Sequence, residues 1–393
     1  MHEVADTRLA DVLAAVRQTL AGQMPPVALH EPEFGGRELE YVSDCVETGW
    51  VSSVGSYVDR FERDLAAFTG IPHVVATCNG TAALHVCLLL AGVRPGEEVL
   101  MPALTFIATA NAVSYAGAVP HFVDSEAVSL GVHPERLEEH LRESAQVVNG
   151  QCINRNSGRT IRALVVMHAF GHPANLEALD VVARRWNLIL IEDAAESLGS
   201  WYQGRHTGSF GLVTALSFNG NKVVTTGGGG AVMTRDPALG RRAKHLTTTA
   251  RVPHRWSFTH DEVGYNYRLP NLNAALGCAQ LEQLPGMLHR KRQLASRYDE
   301  AFSKVKGVRF LREPEGTKSN YWLNTIVIDE TDATIRDEIL ASLNDVGFRA
   351  RPVWTLMHRL PMYEQCPRAD LSTSERLEAS LVNLPSSARL GAG

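Results

Sequence analysis

Leu9, Val12, Leu13, Val16 and Leu20 recur at helical spacing, which predicts a helix inside residues 1–30 that ends before the Pro25-Pro26 break. This segment reads as a leader packed on the body. From about residue 73 to 250 the pattern changes: short β-branched runs alternate with amphipathic stretches, as βαβ units and a mostly parallel sheet require. The clearest strands are HVVATC at 73–78, EVLMPA at 98–103, ALVVMH at 163–168, NLILIE at 187–192 and VTALSF at 213–218. Continuous apolar runs of this kind suit strands covered on both faces. Residues 81–92, 106–116, 134–142 and 176–186 carry apolar positions three and four apart, as helices lying on such a sheet would. After residue 270, LNAALGCAQLEQL and HRKRQLASRYDEAF predict two long helices, and NYWLNTIVID opens a smaller α+β unit. The expected organisation is a helical leader at 1–30, a large domain at 31–270, and connecting helices with a small C-terminal domain at 271–393. No internal repeat interrupts it, and the biased tracts at 227–230 and 247–249 are short.

The 393 residues, 45% of them hydrophobic, are enough to bury a full core without metals or disulfides. Lys and Arg number 38 against 43 Asp and Glu, and the resulting charge of −5 is spread evenly. Phosphate-backbone binding requires clustered cations, so nucleic acid is not an expected partner. The six cysteines, Cys45, Cys78, Cys87, Cys152, Cys278 and Cys366, include no CxxC pair. That argues against a zinc site or a disulfide framework and suits a reducing cytoplasm, with no metal expected. No apolar run reaches the ~18 residues of a membrane span, because His85 and His168 interrupt the two best stretches. The acidic start MHEVADTRLADVL lacks a basic n-region followed by an apolar h-region, so the reading is of a chain without an export signal or membrane partner.

In open α/β sheets ligands collect at the carboxyl ends of strands, so the residues that follow each strand are the ones to inspect. Asn79-Gly80-Thr81 stands between a strand and a helix, where free N–H groups and the helix dipole make a phosphate site and Gly80 lets the backbone approach. An ordinary N-cap is the competing reading. Glu192-Asp193-Ala194-Ala195-Glu196 places acids at the end of an apolar strand. A carboxylate there serves to hold a metal, orient a histidine or pair with a protonated heterocyclic nitrogen, unless it only caps a helix. Ser217-Phe218-Asn219-Gly220-Asn221-Lys222 follows another strand and precedes a glycine run that has neither GxGxxG nor GxxxxGK spacing. A lysine amine held among apolar groups loses its proton more easily and attacks carbonyls, forming a Schiff base, whereas most lysines are solvated. Thr105-Phe106 ends a further strand, where an aromatic ring can cover a flat ligand or simply join the core. Together these residues supply a phosphate cradle, a buried acid, a stacking ring and a carbonyl-reactive lysine on one sheet, the set that pyridoxal phosphate requires.

The segments CNGTAALH, MPALTFIATANAV, IEDAAESLGS, LSFNGNKVVTTGGGG and GYNYRLPNLNAALG resemble successive signatures of the DegT/DnrJ/EryC1/StrS sugar aminotransferases, from about Leu29 to the C-terminus. SFNGNK, RPVWTLMH and NLPSS resemble the LegC-like subgroup in particular. The resemblance implies a pyridoxal-phosphate-dependent transferase of fold type I, with a mostly parallel seven-stranded sheet and a smaller α+β domain. It implies amino transfer from L-glutamate to C4 of a UDP- or GDP-linked 4-keto-6-deoxy sugar, often N-acetylated at C2, for surface glycans of the bacillosamine or legionaminic acid type. Lys222 would carry the cofactor and shuttle protons, and Asp193 would pair with the pyridinium nitrogen. Gly80, Thr81 and Ser217 would bind the phosphate, joined across a homodimer by Asn266, while Phe106 would stack on the ring. Glu196 stands where many relatives carry glutamine or histidine. Trp50, Ser52, Ser53, Arg351 and His358 resemble segments that line the sugar-nucleotide pocket, and Arg251 and Arg268 lie in segments placed to meet its diphosphate. Relatives acting at C3 or on dTDP-sugars share these motifs. Intact Lys222 and Asp193 speak against a dehydratase, in which histidine replaces the lysine, and against a non-catalytic regulatory protein.

Overall fold

The computed structural model describes residues 2–329 and 333–392. Its largest sheet runs, from one edge, through His73–Thr77, Gly230–Thr234, Val213–Ser217, Ile189–Asp193, Thr160–Met167, Glu98–Pro102 and Val119–Val123. Only Gly230–Thr234 runs against the other six. The carboxyl ends of the six therefore open on one edge. Register brings Thr77 beside Gly230 and Gly230 beside Ser217, while Asp193 pairs between Ala215 and Met167.

The sheet has nine strands where seven were expected, because the hairpin Ala145–Val148 and Gln151–Asn154 adds to the end of Thr160–Met167 away from the carboxyl edge. Its strands, AQVV and QCIN, are four residues each and half exposed, too short for an apolar run to announce them. The helices Gly80–Leu90, Ile107–Tyr115, Pro134–Ser144 and Leu176–Arg185 fall where apolar spacing placed them. Gly80–Leu90 is apolar almost all round and buried, as a helix wedged between sheet and neighbours must be.

The two long helices expected after residue 270 are one, Asn271–Phe302, which continues through Pro285. Proline in a helix interior costs about 3 kcal/mol. Here Leu281, Leu284, Met287, Lys291 and Leu294 bury one continuous face on both sides of it, and that packing outweighs the lost hydrogen bond. The N-terminal half of this helix packs on Glu38–Thr48 and Ser56–Thr69. Its C-terminal half meets the leader helix His2–Thr19 and a four-stranded sheet ordered Val308–Phe310, Asn324–Ile328, Leu381–Leu384, Arg351–Pro352. Among the described residues no helix is long and apolar enough to cross a membrane.

Candidate active site

At the carboxyl edge of the large sheet a cavity of about 260 Å³ is lined by Gly80, Thr81, Phe106, Asp193, Glu196, Ser217 and Lys222. All seven are residues that the strand-end argument or the family motifs singled out. Their convergence follows from register: Ser217 and Asp193 end neighbouring parallel strands, and Gly80 opens the helix that leaves Thr77.

Gly80 and Thr81 form the first turn of Gly80–Leu90, where backbone N–H groups lack intrahelical partners. Asn79 caps that helix, its Oδ1 accepting from the Ala82 N–H at 2.8 Å. A Cβ on Gly80 would stand 2.8 Å from the Ser217 Cβ, and one on Gly230 2.5 Å from the Asn79 carbonyl oxygen. Two glycines thus let the helix start press against the strand ends, forming the cradle that a phosphate group needs.

The acids of the EDAAE stretch divide between two tasks because successive strand residues face opposite sides. Glu192 turns away from the cavity and accepts from the Gly208, Phe210 and Gly211 N–H groups and from His168 Nε2, 3.1 Å away. The Ala174 N–H donates to His168 Nδ1, which leaves the ring proton on Nε2 to serve Glu192. Burial would raise the Glu192 carboxyl, yet His168 and these backbone donors hold it below the usual carboxylate range.

Asp193, 2% exposed, accepts from Thr109 Oγ1 at 2.8 Å and from the Ala195 N–H at 3.2 Å. Burial nonetheless pushes its carboxyl above the usual range. A cation is what such a group lacks, and a protonated ring nitrogen supplies one. Glu196 accepts from the Phe170 N–H at 2.9 Å and lies 3.2 Å from Lys222 Nζ. Burial, opposed by the charge of Lys222, pushes the Glu196 carboxyl up to about 7.

Two aromatic residues that line the cavity, and a third packed against them, escaped sequence reasoning. Trp322 places its ring centroid 3.8 Å from Lys222 Nζ. Trp354 lines the mouth with Phe106, their centroids 6.4 Å apart, and Phe170 packs 4.8 Å from Trp354. Trp322 and Trp354 come from segments a hundred or more residues after Lys222, so no local motif joins them to it. Thr109 was hidden inside a helix motif read for its aromatic neighbour.

The remaining candidates lie elsewhere in this chain. Asn266 is exposed, bridged to Thr248 and outside the cavity lining. The Trp50 and Ser52 carbonyls accept from Asn271, while the Trp50 ring is 59% exposed and Ser53 is half-buried. Arg351 is exposed on a strand beside Asn383, and His358 lies 3.4 Å from Glu375. Arg268 pairs with Glu62 at 3.1 Å and Arg251 covers the Phe258 ring at 3.9 Å. None of these eight lines the cavity of its own chain.

The residues present suit pyridoxal phosphate: an amine for its aldehyde, a buried carboxylate for its ring nitrogen, a glycine-made cradle for its phosphate and an aromatic ring at the mouth. The family model for the DegT/DnrJ/EryC1/StrS aminotransferases matches residues 32–392. The GDP-perosamine synthase of Escherichia coli O157:H7 is 36% identical over 342 residues, 87% of this chain and 88% of that protein. That of Caulobacter vibrioides is 34% identical over 93% of this chain and 95% of its own length. The crystal structure of the aminotransferase TlmJ from Streptoalloteichus hindustanus superposes with a TM-score of 0.82 at 29% identity, covering 92% of this chain and 93% of the other. The fold is that of the type I pyridoxal-phosphate enzymes, and this chain belongs to the DegT/DnrJ/EryC1/StrS aminotransferase family, whose cofactor is pyridoxal phosphate.

Proposed function

We propose that this aminotransferase moves an amino group from L-glutamate to C4 of a GDP-linked 4-keto-6-deoxy sugar destined for a surface glycan. The observation that carries the chemistry is a single cavity lined by Lys222, Asp193 and the Gly80–Ser217 cradle. The choice of nucleotide is supported by relatives named GDP-perosamine synthase that match along nearly the whole chain, perosamine being a 4-amino sugar. A UDP-linked, N-acetylated sugar of the bacillosamine or legionaminic acid type is the second reading, favoured by the SFNGNK stretch at Ser217–Lys222. The cavity's ~260 Å³ is at the small end of ligand pockets, which run from roughly 300 Å³. It suits the cofactor, and the sugar nucleotide extends past its mouth.

When bound, the cofactor supplies an aldehyde carbon that exchanges amines and a ring that takes up electrons. Lys222 Nζ is the group that holds that carbon and, once displaced, carries a proton to and from the substrate. Asp193, as an anion with Thr109 and Ala195 fixing its oxygens, keeps the ring nitrogen protonated. Gly80, Thr81 and Ser217 bind the phosphate, Phe106 covers the ring, and Glu196 faces the amine of Lys222. Asn266, exposed and away from its own chain's cavity, fits a role at the cofactor phosphate of a second copy in a homodimer. Trp50, Ser52, Ser53, Arg351 and His358 are assigned to the outer nucleotide path. The free thiols of all six cysteines suit a cytoplasmic enzyme.

Borohydride reduction of the holoenzyme should fix the cofactor on the peptide containing Lys222. Lys222→Ala should lose roughly a thousandfold or more in turnover. Full transamination by that variant overturns the assignment. Incubation with glutamate and a panel of GDP-, UDP- and dTDP-linked 4-keto sugars, followed by weighing the products, tests the substrate. Amination of the dTDP sugar alone, or at C3, rejects the reading.

A further inference from the structure

Trp322 is 5% exposed, and its indole face lies 3.8 Å from the one amine in the cavity, which is also 3.2 Å from Glu196 Oε1. The indole is held at several points. Its Nε1–H donates to the Asn221 carbonyl at 2.7 Å, beside Lys222 itself, and its backbone N–H donates to Asn320 Oδ1 at 2.8 Å. Its carbonyl accepts from Lys291 Nζ at 3.2 Å, a lysine with no exposed surface. Phe170 stacks on Trp322 with centroids 6.4 Å apart and donates its own N–H to Glu196 Oε2, so the ring and the carboxylate that face Lys222 are tied to each other.

Backbone strain marks the same place. Tyr321, immediately before Trp322, has φ 48°, and Phe170 has φ 56°. Bulky residues avoid this left-handed region, and where they persist in it the surrounding structure is forcing them, most often at functional sites. Two such residues brace one indole.

We propose that Trp322 is a catalytic residue whose indole face, with Glu196, forms a seat that receives Lys222 Nζ as an ammonium whenever the lysine is released from the cofactor. The inference rests on Lys222 being the cofactor-bearing lysine. In the assisted step Nζ gains an N–H bond as the C–H bond at the donor's α-carbon breaks, and the bound cofactor would supply the sink for the electron pair left behind. Return of the proton leaves a neutral amine. A π-face attracts the cation and is nearly indifferent to the neutral amine, so the seat favours proton uptake specifically. Glu196 alone is a weak counter-ion near neutrality, since burial holds its carboxyl near 7. The indole supplies an attraction that does not titrate.

The test replaces Trp322 by mono-, di- and trifluorotryptophan, which weaken the ring's negative face with little change of shape, and adds Trp322→Leu to remove the face. Each protein is loaded with pyridoxamine phosphate, which leaves Lys222 free, and the rate of trace acetylation at Lys222 by acetic anhydride is read by peptide mass spectrometry. The rate is expected to rise with each fluorine, reaching about tenfold at trifluorotryptophan, with turnover falling in step at unchanged KM for the amino donor. A flat acetylation series, or turnover indifferent to fluorination, overturns the proposal. Should Trp322→Leu fail to fold, the near-isosteric series still decides. Borohydride trapping at Lys222 in the unsubstituted protein separates the two ideas: trapping with a flat series rejects the seat alone, and absence of trapping rejects the role of Lys222.

Discussion

At the scale of single residues, the site depends on small differences of position within a short motif. Glu192 and Asp193 are neighbours of similar chemistry, yet strand alternation gives one to the His168 network and the other to the cavity. Gly80 is similarly specific: it lacks a side chain because Ser217 occupies the space one would need. Gly80→Ala places a methyl 2.8 Å from the Ser217 Cβ and must push the helix start off the strand end. We expect it to weaken pyridoxal phosphate binding by tenfold or more in a spectrophotometric titration, because phosphate bonds respond to sub-ångström displacement. Adding Ser217→Gly removes the obstructing Cβ and should recover part of the loss on the helix side, at the expense of the serine hydroxyl. An unchanged Kd for Gly80→Ala contradicts the cradle.

At the scale of elements, Asn271–Phe302 organises the molecule. Asn271, 1% exposed, holds the segment before Ser56–Thr69 through its side chain. Its Oδ1 accepts from the Tyr57 and Val58 N–H groups, and its Nδ2 donates to the Trp50 carbonyl at 2.7 Å. Trp50, Ser52 and Ser53, read from sequence as pocket residues, thus belong to a loop whose path is set by a helix start more than two hundred residues away. Asn271→Ala removes the partner of the half-buried Tyr57 N–H and the amide donor to the Trp50 carbonyl, and leaves the Val58 N–H with the Gly55 carbonyl alone. It is expected to cost about 2–4 kcal/mol in denaturant unfolding and to speed hydrogen exchange across residues 50–58 before the rest of the chain. A loss confined to global stability, with exchange there unchanged, argues against this role. Elements with strong periodicity, such as Leu176–Arg185, were readable from sequence. The continuity through Pro285 was not, since it is decided by what packs against the helix; the hairpin at 145–154 offers locally only its Asn149-Gly150 turn between two four-residue strands.

At the scale of the whole molecule, Lys291 joins four parts of the chain. From the long helix its Nζ donates to the carbonyls of Trp322 at 3.2 Å and Ser386 at 2.6 Å and lies 3.1 Å from His30 Nε2, at the end of the leader. Burial lowers Lys291 to about 7 and, with the charges of Lys291 and Lys222 adding, holds His30 well below its ordinary value. The native state therefore binds fewer protons at Lys291 than the unfolded chain does between about pH 7 and its ordinary 10.5. Stability from this group rises with pH across that window, by of order 5 kcal/mol. Lys291→Met keeps the length and removes the titration, so its unfolding free energy should climb less steeply between pH 7 and 10 than that of the parent. Parallel curves would show that Lys291 is not buried at this joint.

The sequence by itself determined the alternation of strands and helices, the residues at each strand end and the family to which they belong, because hydrophobic period and short-range spacing are local properties. Lys222, Asp193 and Gly80 were legible for that reason. Only the tertiary structure decided which strand ends meet, and that Trp322 and Trp354 complete the cavity walls with Phe170 packed against both. These depend on sheet order and on contacts between segments a hundred or more residues apart, and no local pattern encodes such contacts because their energy arises only when the chain has closed around them.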